Sequence, residues 1–388
     1  MHKSSVCILG LGYVGLPTAC ILASSGYFVS GVDIDKKVIN NLQSPSYLSL
    51  EPDLQDLLNK AIANHYIQFS TKITPSEIYI ITAPTPLSDK FEPDISYVEN
   101  AIDSIIPHIK SGDLVLIEST CPVGTTENMS QKLKSVCPDI YIAYCPERIL
   151  PGNIIYELKY NNRVIGGINE ESTVRAINFY KTFSSGKISS TDDKTAEVIK
   201  LAENTYRDIN IAYANELSMI ADKLNIDIRQ LIKLANEHSR VNILEPGVGV
   251  GGHCIAVDPH FLISSAPDES SLITTAREVN NIKTDWVIKK IEKIAKEQNI
   301  TNIACLGLTY KANVSDIRNS PSIKIVESLQ EKFNILTNDP YIKNSNPLKE
   351  IIDKSEMVVT LVAHNEFINI STKLPKNMVF LDFTGKCK

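Results

Sequence analysis

The chain lacks any apolar run longer than a strand. Val6–Leu11 and Met357–Ala363 are among the longest, far short of the roughly 20 residues that a membrane-spanning helix needs. It lacks a basic block, and 39 Lys and Arg against 45 Asp and Glu leave a net charge of −6, which argues against nucleic acid as a partner. It also lacks a CxxC pair. Cys7, Cys20, Cys121, Cys137, Cys145, Cys254, Cys305 and Cys387 are scattered, so neither a zinc site nor a disulfide framework is indicated, and a reducing cytoplasm is the expected setting. The opening MHKSS has no apolar signal core and leads straight into a strand. What remains is ordinary globular composition, and 388 residues are enough for two or three domains with cores of their own.

The first thirty residues carry a dinucleotide pattern. Val6–Leu9 reads as a buried parallel strand. Gly10-Leu11-Gly12-Tyr13-Val14-Gly15 is a GxGxxG turn opening a helix with Ala19, Leu22 and Ala23 at helical spacing. Phe28–Val32 is a second strand that ends at Asp33. Gly10 permits the tight turn, Gly12 lets a pyrophosphate approach the backbone, and Gly15 lets helix pack on strand. Asp33 would accept ribose hydroxyls and repel a 2′-phosphate, favouring NAD over NADP. Further strands are expected at 78–82, 114–118, 140–144 and 163–165. Loops after two of them place Thr85, Thr120 and Thr126 towards the nicotinamide side of such a crevice, with helix or turn capping as the alternative.

The last third repeats this order. Residues 303–311 echo 6–14, FNILTNDPY echoes FVSGVDID, MVVTLVAH echoes IYIITAPT, and NMVFLDFTG echoes DLVLIEST. Gly307 remains, but Gly15 has no counterpart, so a different nucleotide is expected there rather than a full dinucleotide. Ser320-Pro321 reads as N-cap and N1 of its helix. Arg318, just ahead, is either a loop salt bridge or a phosphate clamp, and the clamp is favoured. The fold class is therefore α/β: two Rossmann-like doubly wound domains, at 1–191 and 300–388, joined by a central helical segment at 192–299.

That segment opens with a helix over 195–224 that contains neither Pro nor Gly. Val198, Ile199, Tyr206, Ile209, Ala212, Leu217 and Ile220 spread over several of its faces, which predicts burial between domains or subunits. Lys200, Asn204 and Arg207 share one face near its start, where an ammonium and an amide one turn apart could hold a developing oxyanion. Downstream, GVGVGGHCIAVDP carries Cys254 behind pliable glycines and ahead of a helix start, with Asp258 as N-cap and Pro259 as N1. A helix N-terminus favours thiolate.

GLGYVGLPTA, ESTCPVGTTE, AYCPERILPG, KLAENTYRDINIAYANEL, RVNILEPGVGVGGHCIAVDP and SDIRNSP resemble the UDP-glucose/GDP-mannose dehydrogenase family, the nucleotide-sugar 6-dehydrogenases, over essentially the whole chain. The resemblance implies an NAD domain, a central dimerisation helix and a domain for the uridine diphosphate. It implies four-electron oxidation of a C6 alcohol to a carboxylate through a thiohemiacetal and thioester on Cys254. Lys200 and Asn204 would polarise the substrate oxygen, with Lys200 also a proton shuttle. Asp258 would orient water, and Glu147 would be a base for hydrolysis. Thr120 joins this catalytic set. Arg148, Ile149, Arg207, His238, Arg240, Gly251, Tyr310 and Lys311 would touch substrate, Arg240 from a neighbouring subunit. Tyr13, Val14, Asp33, Thr85 and Arg318 would contact NAD. Relatives acting on UDP-glucose carry a GSCFPKD-like segment where this chain has Gly252-His253-Cys254-Ile255-Ala256-Val257-Asp258. UDP-N-acetyl-D-mannosamine is therefore the expected substrate, ahead of UDP-N-acetylglucosamine or UDP-glucose, in the service of surface polysaccharide. A two-electron dehydrogenase of the 6-phosphogluconate type and a non-catalytic NAD-binding protein are the alternatives from other classes.

Overall fold

The computed structural model describes residues 4–44, 47, 52–149 and 153–387. Residues 150–152 of the CPERILPG segment and residues 1–3 of the opening lie outside them. The chain divides into two compact units, Met1–Ala202 with His260–Ser265, and Glu203–Pro259 with Ala266–Lys388. The division falls inside the long helix Asp193–Lys223.

The first unit is built on strands β1 (Ser5–Leu9), β2 (Phe28–Val32), β3 (Ile67–Ser70), β4 (Ile78–Ile81), β5 (Leu114–Ile117), β6 (Tyr141–Tyr144), β7 (Arg163–Gly167) and β8 (Ile188–Asp192). They form one sheet in the order β3-β2-β1-β4-β5-β6-β7-β8. β4 and β5 are buried along their whole length, as a parallel sheet covered on both faces requires. Pairing is parallel except between β6 and β7, which run antiparallel. β3 and β8 were not expected, and the reversal at β7 was not foreseen.

In the second unit β9 (Asn302–Leu306), β10 (Asn334–Asn338), β11 (Met357–Thr360) and β12 (Val379–Asp382) make a parallel sheet ordered β10-β9-β11-β12. This is the order β2-β1-β4-β5 of the first sheet, and the four strands are those that the sequence echo predicts.

Helix Asp193–Lys223 has the expected length, and in the single chain part of its apolar surface is exposed. Tyr206, Tyr213, Ile220 and Leu224, just beyond it, are 68%, 53%, 48% and 60% exposed, an apolar stripe with sevenfold spacing over its first three members. The opposite face is polar and buried. Asp208, fully buried, accepts from Arg277 at 2.6 Å and from Asn280 at 2.8 Å on helix Ser271–Glu297, and Asn215 donates to Asn280 at 2.9 Å. Burial pushes the Asp208 carboxyl up, against the pull of Arg277 and Asn280. Removing one partner of a buried pair strands the other charge. Arg277→Leu is therefore expected to cost about 3–5 kcal/mol, read as a lower denaturant midpoint. Adding Asp208→Leu should recover most of the loss, and an unchanged midpoint in the single variant contradicts this role.

Candidate active site

In the first unit the glycine turn is shaped as a dinucleotide cradle. A Cβ on Gly15 would sit 1.9 Å from the Gly10 carbonyl oxygen, so only glycine allows this approach of helix Gly15–Ser24 to the turn. A Cβ on Gly12 would meet nothing within 4 Å, leaving open the backbone face that a pyrophosphate approaches. Thr82, which motif reading passed over, ties the end of β4 to this turn by donating to the Leu9 and Gly10 carbonyls at 3.0 and 2.7 Å. Asp33 is pre-oriented: its carboxylate accepts from the Leu11 and Asp35 N–H groups, each at 2.9 Å. Tyr13 is 38% exposed, and Val14, Thr85 and Thr120 are half-buried around the strand ends. These groups fit NAD.

Thr126 is a correction. Instead of lining a cleft it is wholly buried, its N–H and hydroxyl both donating to the Glu197 Oε1 at 2.8 and 2.6 Å. Glu197 Oε2 takes the Gly124 N–H at 2.6 Å. This carboxylate from the long helix satisfies the N-terminus of helix Thr125–Val136, where an anion is favoured. Burial pushes its carboxyl up against the pull of those bonds. The only sequence signal for Glu197 was an acid one turn before Lys200.

Glu147, expected as a base for hydrolysis, is buried. Its Oε2 pairs with Arg163 at 3.1 Å, both side chains being nearly inaccessible, and its Oε1 accepts the Arg148 N–H at 2.7 Å. Beside it lies Glu118, buried and accepting from the Tyr180 hydroxyl at 2.6 Å. Burial first, and then the charge of Glu147, push the Glu118 carboxyl up to about 7. Arg148 donates to the Asn162 carbonyl, and Ile149 packs on the core of its unit.

In the second unit the cysteine loop is docked on the segment that follows β9. A Cβ on Gly252 (φ 85°) would meet the Tyr310 ring at 2.8 Å, and one on Gly251 would meet the Asn319 carbonyl oxygen at 2.4 Å. Gly252 donates to the Arg318 carbonyl at 3.0 Å. Cys254 is half-buried and close enough to Tyr310 and Arg318 to act on both electrostatically. Burial, then Asp316 and Cys254, push the Tyr310 phenol up, and Arg318 opposes them. Arg318 pairs with Asp316 at 2.6 Å, the loop salt bridge of the two alternatives, so a phosphate would compete for it. Asp258 starts its helix rather than capping it. Its N–H bonds the Cys254 carbonyl at 2.8 Å, and its buried carboxylate accepts from Asn204 at 2.5 Å.

Lys200 and Asn204 are half-buried and Arg207 is exposed on the long helix. His238 and Arg240 are exposed on a loop, where His238 Nδ1 accepts the Arg240 N–H at 3.3 Å. Lys311 is exposed beside Tyr310. Among the described residues no cluster of three His, Cys, Asp or Glu could hold a metal ion, and no helix is long and apolar enough to cross a membrane.

Three family models match in succession. Residues 4–184 match the NAD binding domain, 194–282 the central domain and 304–387 the UDP binding domain of one dehydrogenase family. The chain belongs to the UDP-glucose/GDP-mannose dehydrogenase family. It is an NAD-dependent nucleotide-sugar dehydrogenase, an oxidoreductase, and its second sheet belongs to the UDP-binding domain. A UDP-N-acetyl-D-mannosamine dehydrogenase of Methanocaldococcus jannaschii is 44% identical over 96% of this chain and 88% of that protein. An NDP-N-acetyl-D-galactosaminuronic acid dehydrogenase of Ralstonia nicotianae is 41% identical over 98% and 96%. The structure of UDP-D-ManNAc dehydrogenase from Pyrococcus horikoshii matches with a TM-score of 0.92 at 35% identity, over 99% of this chain and all of that one.

Glu118 makes stability depend on pH in a stated direction. Its carboxyl rises from 4.5 to about 7 on folding, so across that window the folded chain holds a proton that the unfolded chain has released, and stability falls as pH rises. Glu118→Gln is permanently neutral. Its melting temperature relative to the unsubstituted protein should climb between about pH 5 and pH 8, and a pH-independent difference would contradict the assignment.

Proposed function

We propose that this dehydrogenase oxidises UDP-N-acetyl-D-mannosamine at C6 to the uronic acid, in four electrons, through covalent adducts on Cys254. It would act in the cytoplasm and supply surface polysaccharide. The observation that supports this most is a half-buried thiol in a glycine loop docked on Tyr310, in a chain of this family. NAD, held at the Asp33 crevice, would accept a hydride in each of two oxidations. Lys200 and Asn204, one turn apart, donate hydrogen bonds to the substrate oxygen in both. The first oxidation turns the alcohol into an aldehyde. The Cys254 sulfur adds to it, and the resulting thiohemiacetal gives up the second hydride and a proton to leave a thioester. Water then cleaves the thioester, releasing the acid and the thiol. Asp258 would orient that water and Glu147 would serve as the base for the hydrolysis.

Two relatives favour a second substrate reading, since their printed name concerns N-acetyl-D-galactosaminuronic acid. Both sugars are N-acetylhexosamines, and a panel of UDP-sugars separates them. The exposed stripe of Tyr206, Tyr213, Ile220 and Leu224 supports a homodimer formed along the long helix, with exposed Arg240 free to reach a neighbour.

The expected result is two NADH per sugar consumed, with the highest kcat/KM for UDP-N-acetyl-D-mannosamine. Cys254→Ser should bind NAD and form no acid. One NADH per sugar, or full turnover by Cys254→Ser, overturns the mechanism; preference for another UDP-sugar overturns only the substrate.

A further inference from the structure

The two sheets shape their first crossover alike, nearly atom for atom. In the first unit Gly10 (φ 99°) donates to the Val32 carbonyl at 2.8 Å, and Asp33 takes the Leu11 and Asp35 N–H groups, each at 2.9 Å. In the second, Gly307 (φ 90°) donates to the Asn338 carbonyl at 2.9 Å, and Asp339 takes the Leu308 and Tyr341 N–H groups at 2.7 and 2.9 Å. Asp339 is the counterpart of Asp33.

The counterparts diverge after the neighbouring strand. Leu9 pairs with Ile81, and Leu306 with Thr360, in matching register. Four residues beyond Ile81 stands Thr85; four beyond Thr360 stands His364. Thr85 is half-buried, whereas His364 and Asp339 are completely buried. His364 Nε2 lies 3.0 Å from the Asp339 Oδ2 and 3.2 Å from the Thr309 hydroxyl, while Nδ1 accepts the Asn313 N–H at 3.0 Å. A ring nitrogen that accepts carries no proton, so the imidazole is the neutral Nε2–H tautomer and donates towards Asp339. The Thr309 hydroxyl donates in turn to the Lys311 carbonyl at 2.9 Å, and the Tyr341 ring stacks on the imidazole at 4.9 Å. One side chain thus fills the place where Asp339 would meet a ribose, and ties residues 309, 311 and 313 together.

We propose that His364 is a positioning residue for the nucleotide sugar: by plugging the ribose position of the second crevice, it both excludes a dinucleotide there and holds the Tyr310–Lys311 loop in one conformation. It touches no reacting atom. The proposal rests on the reading of Tyr310 and Lys311 as substrate contacts.

Steady-state constants for the UDP-sugar and for NAD, measured on the full chain, test it. His364→Ala is expected to raise the sugar KM about tenfold, with the NAD KM within about twofold. In His364→Asn the side-chain oxygen stands where Nδ1 stood and can still accept from Asn313, so the sugar KM should rise less, about threefold. A sugar KM unchanged in both variants overturns the proposal, and so does an equal rise in the NAD KM, which a merely structural role would give. If the alanine variant does not fold, the asparagine variant decides by the same criteria. Lys311→Ala separates the two layers. An unchanged sugar KM there defeats the reading of the loop, whereas a raised one beside unaffected His364 variants defeats only the role of His364.

Discussion

A carboxylate at the end of the second strand, accepting the N–H just after a positive-φ glycine, organises both halves of this protein. It is made by Asp33 with Leu11 and by Asp339 with Leu308. The bond fixes where the chain turns from strand to loop, and so where a nucleotide can approach backbone N–H groups. In the first half the carboxylate stays half-buried and available to a ribose. In the second it is sealed, and although burial raises its carboxyl, His364 and the backbone N–H groups hold it below the usual carboxylate range. One geometry would then serve as a cofactor site and, under the proposal above, as the mount for a substrate loop.

Buried charge is the second recurring device. Asp208–Arg277 joins two helices, Glu147–Arg163 holds the chain after β6, and Glu197 holds the start of a helix. Each exchanges hydration for directional bonds that fix an orientation, which suits side chains that hold loops rather than maximise stability. Glu118 lies beside Glu147 and Arg163, buried and bonded to Tyr180, and burial and the charge of Glu147 raise its carboxyl against the pull of Arg163.

Local chemistry was legible in the sequence where short-range rules decide it. The glycine turn, Asp33, the four echoed strands and the length of the long helix follow from spacing alone. β8, Ile188–Asp192, was not legible because its residues are mostly exposed and polar, so no hydrophobic period marks it. The reversal at β7 was hidden because a buried run reads the same in either direction. Thr126 and Glu147 are polar groups whose partners, Glu197 and Arg163, lie 71 and 16 residues away, and spacing carries no trace of such pairs. The exposure of Tyr206 and Tyr213 is the converse case: an apolar face predicts burial but does not say against what.

The central claim is that one crossover is open to a dinucleotide and its twin is closed. Calorimetric titration of the full chain with NADH tests it most directly. The account predicts one NADH per chain, with binding abolished by Asp33→Ala. Two NADH per chain, or binding that survives Asp33→Ala undiminished, would contradict it.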